Sequence, residues 1–242
     1  MSDISKSERA TQNRVVAMFR DELGYDYLGD WSDRANNRQV EDSLLTDWLT
    51  RRGYRRAQIG IALHKLHTEA NNPTRTLYEN NHAVYQLLRY GVPVQTEAGR
   101  PHETVQFIDW GDAAANDFVI AEEVTLRGGF ERRPDLVLYI NGIALAVIEL
   151  KNSRVSIGDG IRQLLSNQQP AFNAWFFSTV QFVFAGSDAE GLQYGTIATP
   201  EKYFLKWKED ETDDSRYKLD KYLLKICGKG QAAAKETACA DA

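Results

Sequence analysis

The sequence predicts an α/β fold, a mixed central sheet flanked by helices, with a helical N-terminal part over about residues 1–90 and a sheet-rich core over about 91–200. Three observations lead there. Before Gly91, apolar residues recur at helical spacing. After it, runs rich in β-branched and aromatic residues take over. And the stretch from Arg132 to Asn152, RRPDLVLYINGIALAVIELKN, is apolar on both faces of its alternation, as strands covered on both sides are.

Residues from about Lys6 to Leu23 read as a helix, with Val15, Val16, Phe19 and Leu23 in phase and Gly24 as the stop. VEDSLLTDWLTRRGY places Leu44, Leu45, Trp48 and Leu49 on one face of a second helix. RAQIGIALHKLHTEANN and RTLYENNHAVYQLLRYG follow, broken at Asn71–Pro73. VQFIDW, FVIAEEVTLRG, PDLVLYI and IALAVIELK then read as strands. A helix starts near Ser156, with Ile157, Ile161, Leu164 and Leu165 in phase. TVQFVFAG and QYGTIA read as strands around an SDAEG turn. KWKEDETDDSRYKL is a charge run, expected to be a solvated linker or helix surface, and the Ala-rich C-terminal tail is expected to fray. There is no internal repeat.

The chain has 242 residues, long for one domain and short for two, and 43% of them are hydrophobic. No run approaches the roughly 18 apolar residues of a membrane span, and the N-terminus has no signal-peptide core. A cytoplasmic protein with no membrane partner is expected. Cys227 and Cys239 are open to pairing, but a reducing compartment is the plainer expectation. The net charge of -5 argues against bulk electrostatic binding of nucleic acid. A nucleic-acid substrate would be held by a local patch or delivered by a partner.

The apolar stretch ends in charges at both tips, Asp135 on one side and Glu149-Leu150-Lys151 on the other. Asn141-Gly142 between the two apolar runs signals a hairpin. A regular two-residue loop pairs Ile140 with Ile143 and puts Asp135 on the face opposite Glu149 and Lys151. A three-residue loop reverses the parity, sets Asp135 opposite Val147 and brings the three charges to one face. An odd-length loop or a bulge is therefore expected if they act together. Val137, Tyr139, Leu145 and Val147 are expected on one side, Leu136, Leu138, Ala146 and Ile148 on the other.

Charges at the ends of buried strands are costly unless paired or bound to metal. Two carboxylates supply hard oxygen ligands suited to Mg²⁺, with Mn²⁺ as substitute, and the main-chain carbonyl of Leu150 adds another. Lys151, two residues on, is placed to hold water or a phosphate oxygen. Together these are the parts of a metal-dependent phosphodiesterase. A simple salt bridge at a sheet edge is the bland alternative.

RPDLVLYINGIALAVIELKN, the following GIRQLLSNQ and the later FFSTVQFVFAGSDAEGLQYGTIATPEKYFLKWKED resemble the PD-(D/E)xK nuclease superfamily, and within it the N-terminal endonuclease domain of the restriction, or motor, subunit of type I restriction-modification enzymes. The resemblance runs from the first helix to about Lys225. It implies a PD-(D/E)xK core, Asp135 and Glu149 as metal ligands and Lys151 as the catalytic lysine. It makes Glu8 a candidate acidic residue from the first helix. It makes Gln163 the glutamine of a Gln-x-x-x-Tyr element whose tyrosine position holds Asn167 here. It implies a DNA substrate, and methylase and specificity subunits as partners. On this reading residues 1–205 are a nuclease domain, and 206–242 a charged linker and tail leading toward a motor. The chain holds no G-x-x-x-x-G-K-[ST] loop, so ATP is expected only at the full-length subunit.

Arg132 and Arg133 adjoin Asp135 and are candidate DNA contacts. The cluster from Arg51 to Arg56 reads as a solvated helix end, and His64 and His67 read as packing or surface residues for want of a third ligand. Two other functions stay open. A stand-alone repair or junction nuclease would cut DNA without partners. A non-catalytic docking or assembly module need not bind metal at Asp135 and Glu149.

Overall fold

The computed structural model describes residues 3–97, 99, 101–208 and 216–229, with side chains from residue 8 onward. Its centre is a seven-stranded mixed sheet in the order β1-β4-β5-β6-β7-β8-β9. The strands are β1 (Asp26–Asp30), β4 (Phe118–Glu122), β5 (Leu136–Ile140), β6 (Ile143–Lys151), β7 (Phe182–Ser187), β8 (Gly191–Gly195) and β9 (Leu205–Lys206). β1 runs parallel to β4 and β6 parallel to β7; the other neighbours are antiparallel. β2 (Val92–Val94) and β3 (Glu103–Val105) form a separate ribbon.

Helices cover both faces, as an α/β core with buried central strands requires. On one side α1 (Asp3–Asp21) and α6 (Lys218–Ile226) bring Val15, Phe19, Leu219 and Tyr222 onto Leu136, Leu138, Ile148 and Leu150. On the other, α5 (Ile157–Asn167) packs Ile157, Ile161 and Leu164 against Val137, Tyr139 and Val147. Each such side chain, fully buried, contributes about 2 kcal/mol. A third cluster joins α2 (Asp42–Arg51), α3 (Arg56–Ala70) and α4 (Leu77–Tyr90) to the β2–β3 ribbon and to Ile143 at the hairpin tip.

The expected hairpin has a two-residue loop after all. Ile140 pairs with Ile143, and Asn141 and Gly142 sit at φ 53° and 84°, as a twist-matched tight turn needs. A Cβ on Gly142 would lie 2.8 Å from Leu44 Cβ and from the main-chain nitrogen of Leu45, so the turn is pressed into α2. The parity change comes instead from a bulge. Leu138 pairs with Ala146 but Tyr139 with Ala144, which leaves Leu145 unpaired. From there the register runs Val137–Val147 and Leu136–Ile148, setting Asp135 opposite Glu149 rather than opposite Val147. Leu145 itself leaves the Val147 side and joins the third cluster.

Other elements depart from expectation. β1 lies within the part expected to be helical, and its DYLGD sequence carries no strand alternation. Of VQFIDW only Val105 is strand, at the end of β3. Beyond it the backbone turns because Asn116 and Asn141 capture the carbonyls of Asp109 and Phe107 at 2.9 and 2.8 Å. α6 falls in the stretch expected to be linker and tail, yet Leu219, Tyr222 and Leu223 are fully buried. The Ala-rich tail, Cys239 and residues 209–215 of the charge run lie outside the described residues. Cys227 is buried and free, and burial pushes its thiol up to about 12. Among the described residues no helix is long and apolar enough to cross a membrane.

Candidate active site

Asp135 follows the buried Pro134 at the start of β5, and Glu149 and Lys151 are the seventh and ninth residues of β6. With the bulge in place all three lie on the α5 side of the sheet. Asp135 Oδ2 accepts the Leu150 main-chain N–H at 2.6 Å. In an extended strand the N–H and C=O of one residue point the same way, so the Leu150 carbonyl also faces the Asp135 strand. Lys151 Nζ lies 3.7 Å from Glu149 Oε2, 3.4 Å from Glu8 Oε1 and 3.1 Å from Gln163 Oε1. Glu8 comes from the first turns of α1 and Gln163 from the middle of α5, so helices from both faces close on the lysine at one end of the sheet.

Glu149 is fully buried, and neither carboxylate oxygen has a hydrogen-bond partner. Burial pushes its carboxyl well above the usual range, and the neighbouring Asp135 adds to the push. Burial likewise lifts Asp135 to about 6, against the pull of the Leu150 N–H and of Lys151. Desolvation works against the charge on Lys151, but Glu149, Asp135 and Glu8 together outweigh it and the ammonium is held above its ordinary value. Two adjoining carboxyls with unmet acceptor capacity in low dielectric call for a cation. Asp135, Glu149 and the Leu150 carbonyl fit a hard divalent ion in donor type. Among the described residues no three His, Cys, Asp or Glu side chains converge as ligands, so main chain or solvent would complete the set.

The arginines expected beside Asp135 are there but occupied. Arg133 Nε pairs with Glu123 Oε2 at 2.8 Å, and the Arg132 guanidinium stacks 4.0 Å from the Phe172 ring centroid. The Arg51–Arg56 cluster is largely neutralised: Arg51 pairs with Asp117, Arg52 with Asp109 at 2.5 Å and Arg55 with Glu103 at 2.9 Å. His67 meets Asp42 at 2.7 Å, and His64 is exposed. Asn167 is buried, and neither its amide nitrogen nor its oxygen finds a partner.

Sequence reasoning missed the wall behind Asp135. The Glu123 N–H donates to the Asp135 carbonyl at 2.8 Å, and Glu123 takes φ 53°, unusual outside glycine. Gln12 Nε2 donates to Glu122 at 2.9 Å and to Glu123 at 3.1 Å, while Arg9 reaches both carboxylates. The stretch of α1 that sends Glu8 to Lys151 thus sends Gln12, one turn on, to the strand flanking Asp135. The signal was present: Glu122-Glu123 end an apolar run just as Asp135 begins one, and Glu8 and Gln12 are one helical turn apart.

The chain is similar to known proteins over this region. The model of the family described as type I restriction enzyme R protein N terminus matches residues 5–202. A putative type I restriction enzyme MjaIXP endonuclease subunit of Methanocaldococcus jannaschii is 25% identical over 178 residues, 70% of this chain and 16% of that protein. The type I restriction enzyme HindI endonuclease subunit of Haemophilus influenzae is 38% identical over 159 residues, 62% of this chain and 15% of that protein. The chain thus matches only about a sixth of the length of these curated relatives. The family match spans most of the chain and takes in the first helix, the bulged hairpin and α5, and on that ground the chain belongs to the family of type I restriction enzyme R protein N-terminal regions.

Proposed function

We propose that this chain is a metal-dependent DNA endonuclease domain, hydrolysing phosphodiester bonds in unmodified foreign DNA within a complex that includes methylase and specificity subunits. The observation that carries the reading is Glu149, a fully buried carboxylate with no hydrogen-bond partner, across from Asp135 and beside Lys151. Lys151 gives Glu149 only a long ion pair, at 3.7 Å, and makes its shorter contacts with Gln163 at 3.1 Å and Glu8 at 3.4 Å, so the pairing leaves both Glu149 oxygens without a hydrogen bond.

Asp135, Glu149 and the Leu150 carbonyl would hold Mg²⁺, or Mn²⁺ in its place. When bound, the ion would neutralise charge developing on the phosphate and lower the pKa of attacking water. Lys151 donates hydrogen bonds to the water or to a non-bridging phosphate oxygen, and its ammonium is kept charged by the surrounding carboxylates. Gln163, accepting from Lys151 at 3.1 Å, fixes where that donor points. Glu8 supplies a further carboxylate on the same ammonium. ATP is assigned to a motor region of the full-length subunit and not to this chain.

The test pairs two measurements on Asp135→Asn and Lys151→Ala. Cleavage is read in the full-length subunit assembled with its partners, and Mn²⁺ binding by calorimetry on this chain. Both variants should lose cleavage, and Asp135→Asn alone should also lose most Mn²⁺ affinity. Full cleavage by either would refute the assignment. Unchanged Mn²⁺ binding by Asp135→Asn would favour a docking module.

A further inference from the structure

Beyond Asp135 the β4–β5 ribbon does not stop. Glu123 N–H donates to the Asp135 carbonyl, Val124 N–H to that of Pro134 at 3.1 Å, and Leu126 and Arg132 exchange hydrogen bonds at 2.7 and 3.3 Å. The ribbon ends in a tight tip, Arg127 to Glu131. At that tip Phe130 is 68% exposed, the most exposed of the large apolar side chains among the described residues.

A lone exposed apolar residue ordinarily needs no explanation. Phe130 differs because the fold builds its exposure. Its N–H donates to the Ala171 carbonyl at 3.0 Å, and its carbonyl accepts from Asn173 Nδ2 at 3.1 Å. A Cβ on Gly128 would fall 2.0 Å from Trp175 Nε1, and one on Gly129 2.2 Å from the Ala171 oxygen. Two glycines thus let the tip lie flat on the 171–175 turn, and the backbone of Phe130 is pinned on both sides. The ring meets Phe172 at 5.8 Å between centroids, and the Arg132 guanidinium lies over Phe172. Arg132 makes no ion pair with a described carboxylate. Of the three arginines in residues 127–133, Arg127 pairs with Glu131 at 3.1 Å and Arg133 with Glu123 at 2.8 Å, which leaves Arg132 as the cation at the tip that a phosphate can meet.

We infer that Phe130 is a stacking platform for a base of the DNA being cut, with Arg132 tracking the adjoining phosphates; this rests on the nuclease reading above. An aromatic face accepts any base, so it adds affinity without sequence choice, and a cation held on a neighbouring ring suits a phosphate beside a stacked base. Phe130 is five residues from Asp135. At ~3.3 Å per residue the tip reaches at most ~17 Å from the carboxylate, about five nucleotides along a strand. A base can reach a protein ring only when it leaves its stack. The preferred substrate is therefore DNA locally unpaired within about five nucleotides of the cut.

Fluorescence anisotropy in EDTA tests this on the chain itself. The probes are a plain duplex and the same duplex with a one-nucleotide gap, each at low and near-physiological salt. The gapped DNA should bind the wild-type chain more tightly. Phe130→Ala should weaken the gapped complex about tenfold, leave the salt slope unchanged and barely alter the plain duplex. Phe130→Trp should restore affinity, with its indole fluorescence quenched on binding. Arg132→Ala should weaken both complexes alike and flatten the salt slope. Equal binding of both DNAs by Phe130→Ala and wild type would overturn the platform and mark the tip as a protein contact. A wild-type chain that binds neither DNA at low salt would overturn the nuclease reading with it.

Discussion

The Asp135 carboxylate takes a hydrogen bond from the main-chain N–H of Leu150, at 2.6 Å. β6 thus holds the acid of its neighbouring strand through backbone that no substitution at Leu150, proline apart, removes. Asp135→Asn can keep this bond through its amide oxygen while losing charge beside Glu149. The variant should lose metal binding and yet melt higher than wild type in metal-free buffer near neutral pH, by a few degrees. A lower melting point, measured by calorimetry in EDTA, would contradict the like-charge strain.

The pH dependence follows from the direction of the shifts. Asp135 is lifted to about 6 and Glu149 well above its ordinary value, so between about pH 4 and 6 the folded chain holds more protons than the unfolded one. Raised carboxyls lend stability at acid pH and lose it as pH climbs through the folded value. Carboxyls lowered by partners, such as Glu69 beside Lys65 and Arg75, act the opposite way but are common to both proteins. The melting-point advantage of Asp135→Asn should therefore grow from about pH 4.5 to 7 and beyond. A gap that stays flat over that range would remove the buried-pair account.

Lys151→Ala should bind Mn²⁺ within a few-fold of wild type, because an ammonium is no ligand. Cleavage should fall by at least a hundredfold, on the order expected when a transition-state donor is removed. A parallel loss of both would recast Lys151 as a structural counter-ion.

Asn167→Leu should stabilise the chain by about 1 kcal/mol, since both amide atoms are buried without partners and leucine has a similar volume. Chemical denaturation reads this directly. A destabilised variant would mean that the amide is satisfied by something its described neighbours do not provide.

The isolated chain should bind DNA weakly and with strong salt sensitivity, and nick supercoiled plasmid only slightly and only with Mg²⁺. Its net charge of -5 repels DNA at long range, and tethering in a larger assembly would replace intrinsic affinity with effective concentration. Rapid multiple-turnover cleavage at physiological salt, without ATP or partners, would point to a stand-alone nuclease.

Much of the site was legible because its residues obey local rules. β6 runs from Ile143 to Lys151 as its nine apolar and terminal residues suggest, and Ser156 caps α5 with its side chain on the Gly158 N–H. Asp135, Glu149, Lys151, Gln163 and Glu8 do gather. What the sequence hid depends on distant partners. β1 forms because β4 offers it a parallel edge, and α6 because the sheet leaves Leu219 and Tyr222 a place to bury. Arg132 and Arg133 read as candidate DNA contacts, and nothing in the sequence signals that Phe172 lies under one and Glu123 pairs with the other. The bulge was foreseeable as a need but not as a place, since nothing about Leu145 marks it.

That bulge has a consequence for how such chains change length over evolutionary time. In a regular hairpin with a two-residue turn, facing residues are separated by an odd count, and Asp135 and Glu149 are separated by fourteen. Leu145 is the slack that reconciles the two. Lose one residue anywhere between the turn and Glu149 and the ladder can close without a bulge, with the acids still face to face. Add one to the Asp135 strand and the slack absorbs it. Add one to the Glu149 strand and a single bulge leaves the acids on opposite faces, so that facing each other again takes a second irregularity. Single-residue indels in this hairpin should therefore be tolerated in one direction on each strand, and a relative's Asp-to-Glu spacing tells whether its hairpin is kinked or straight.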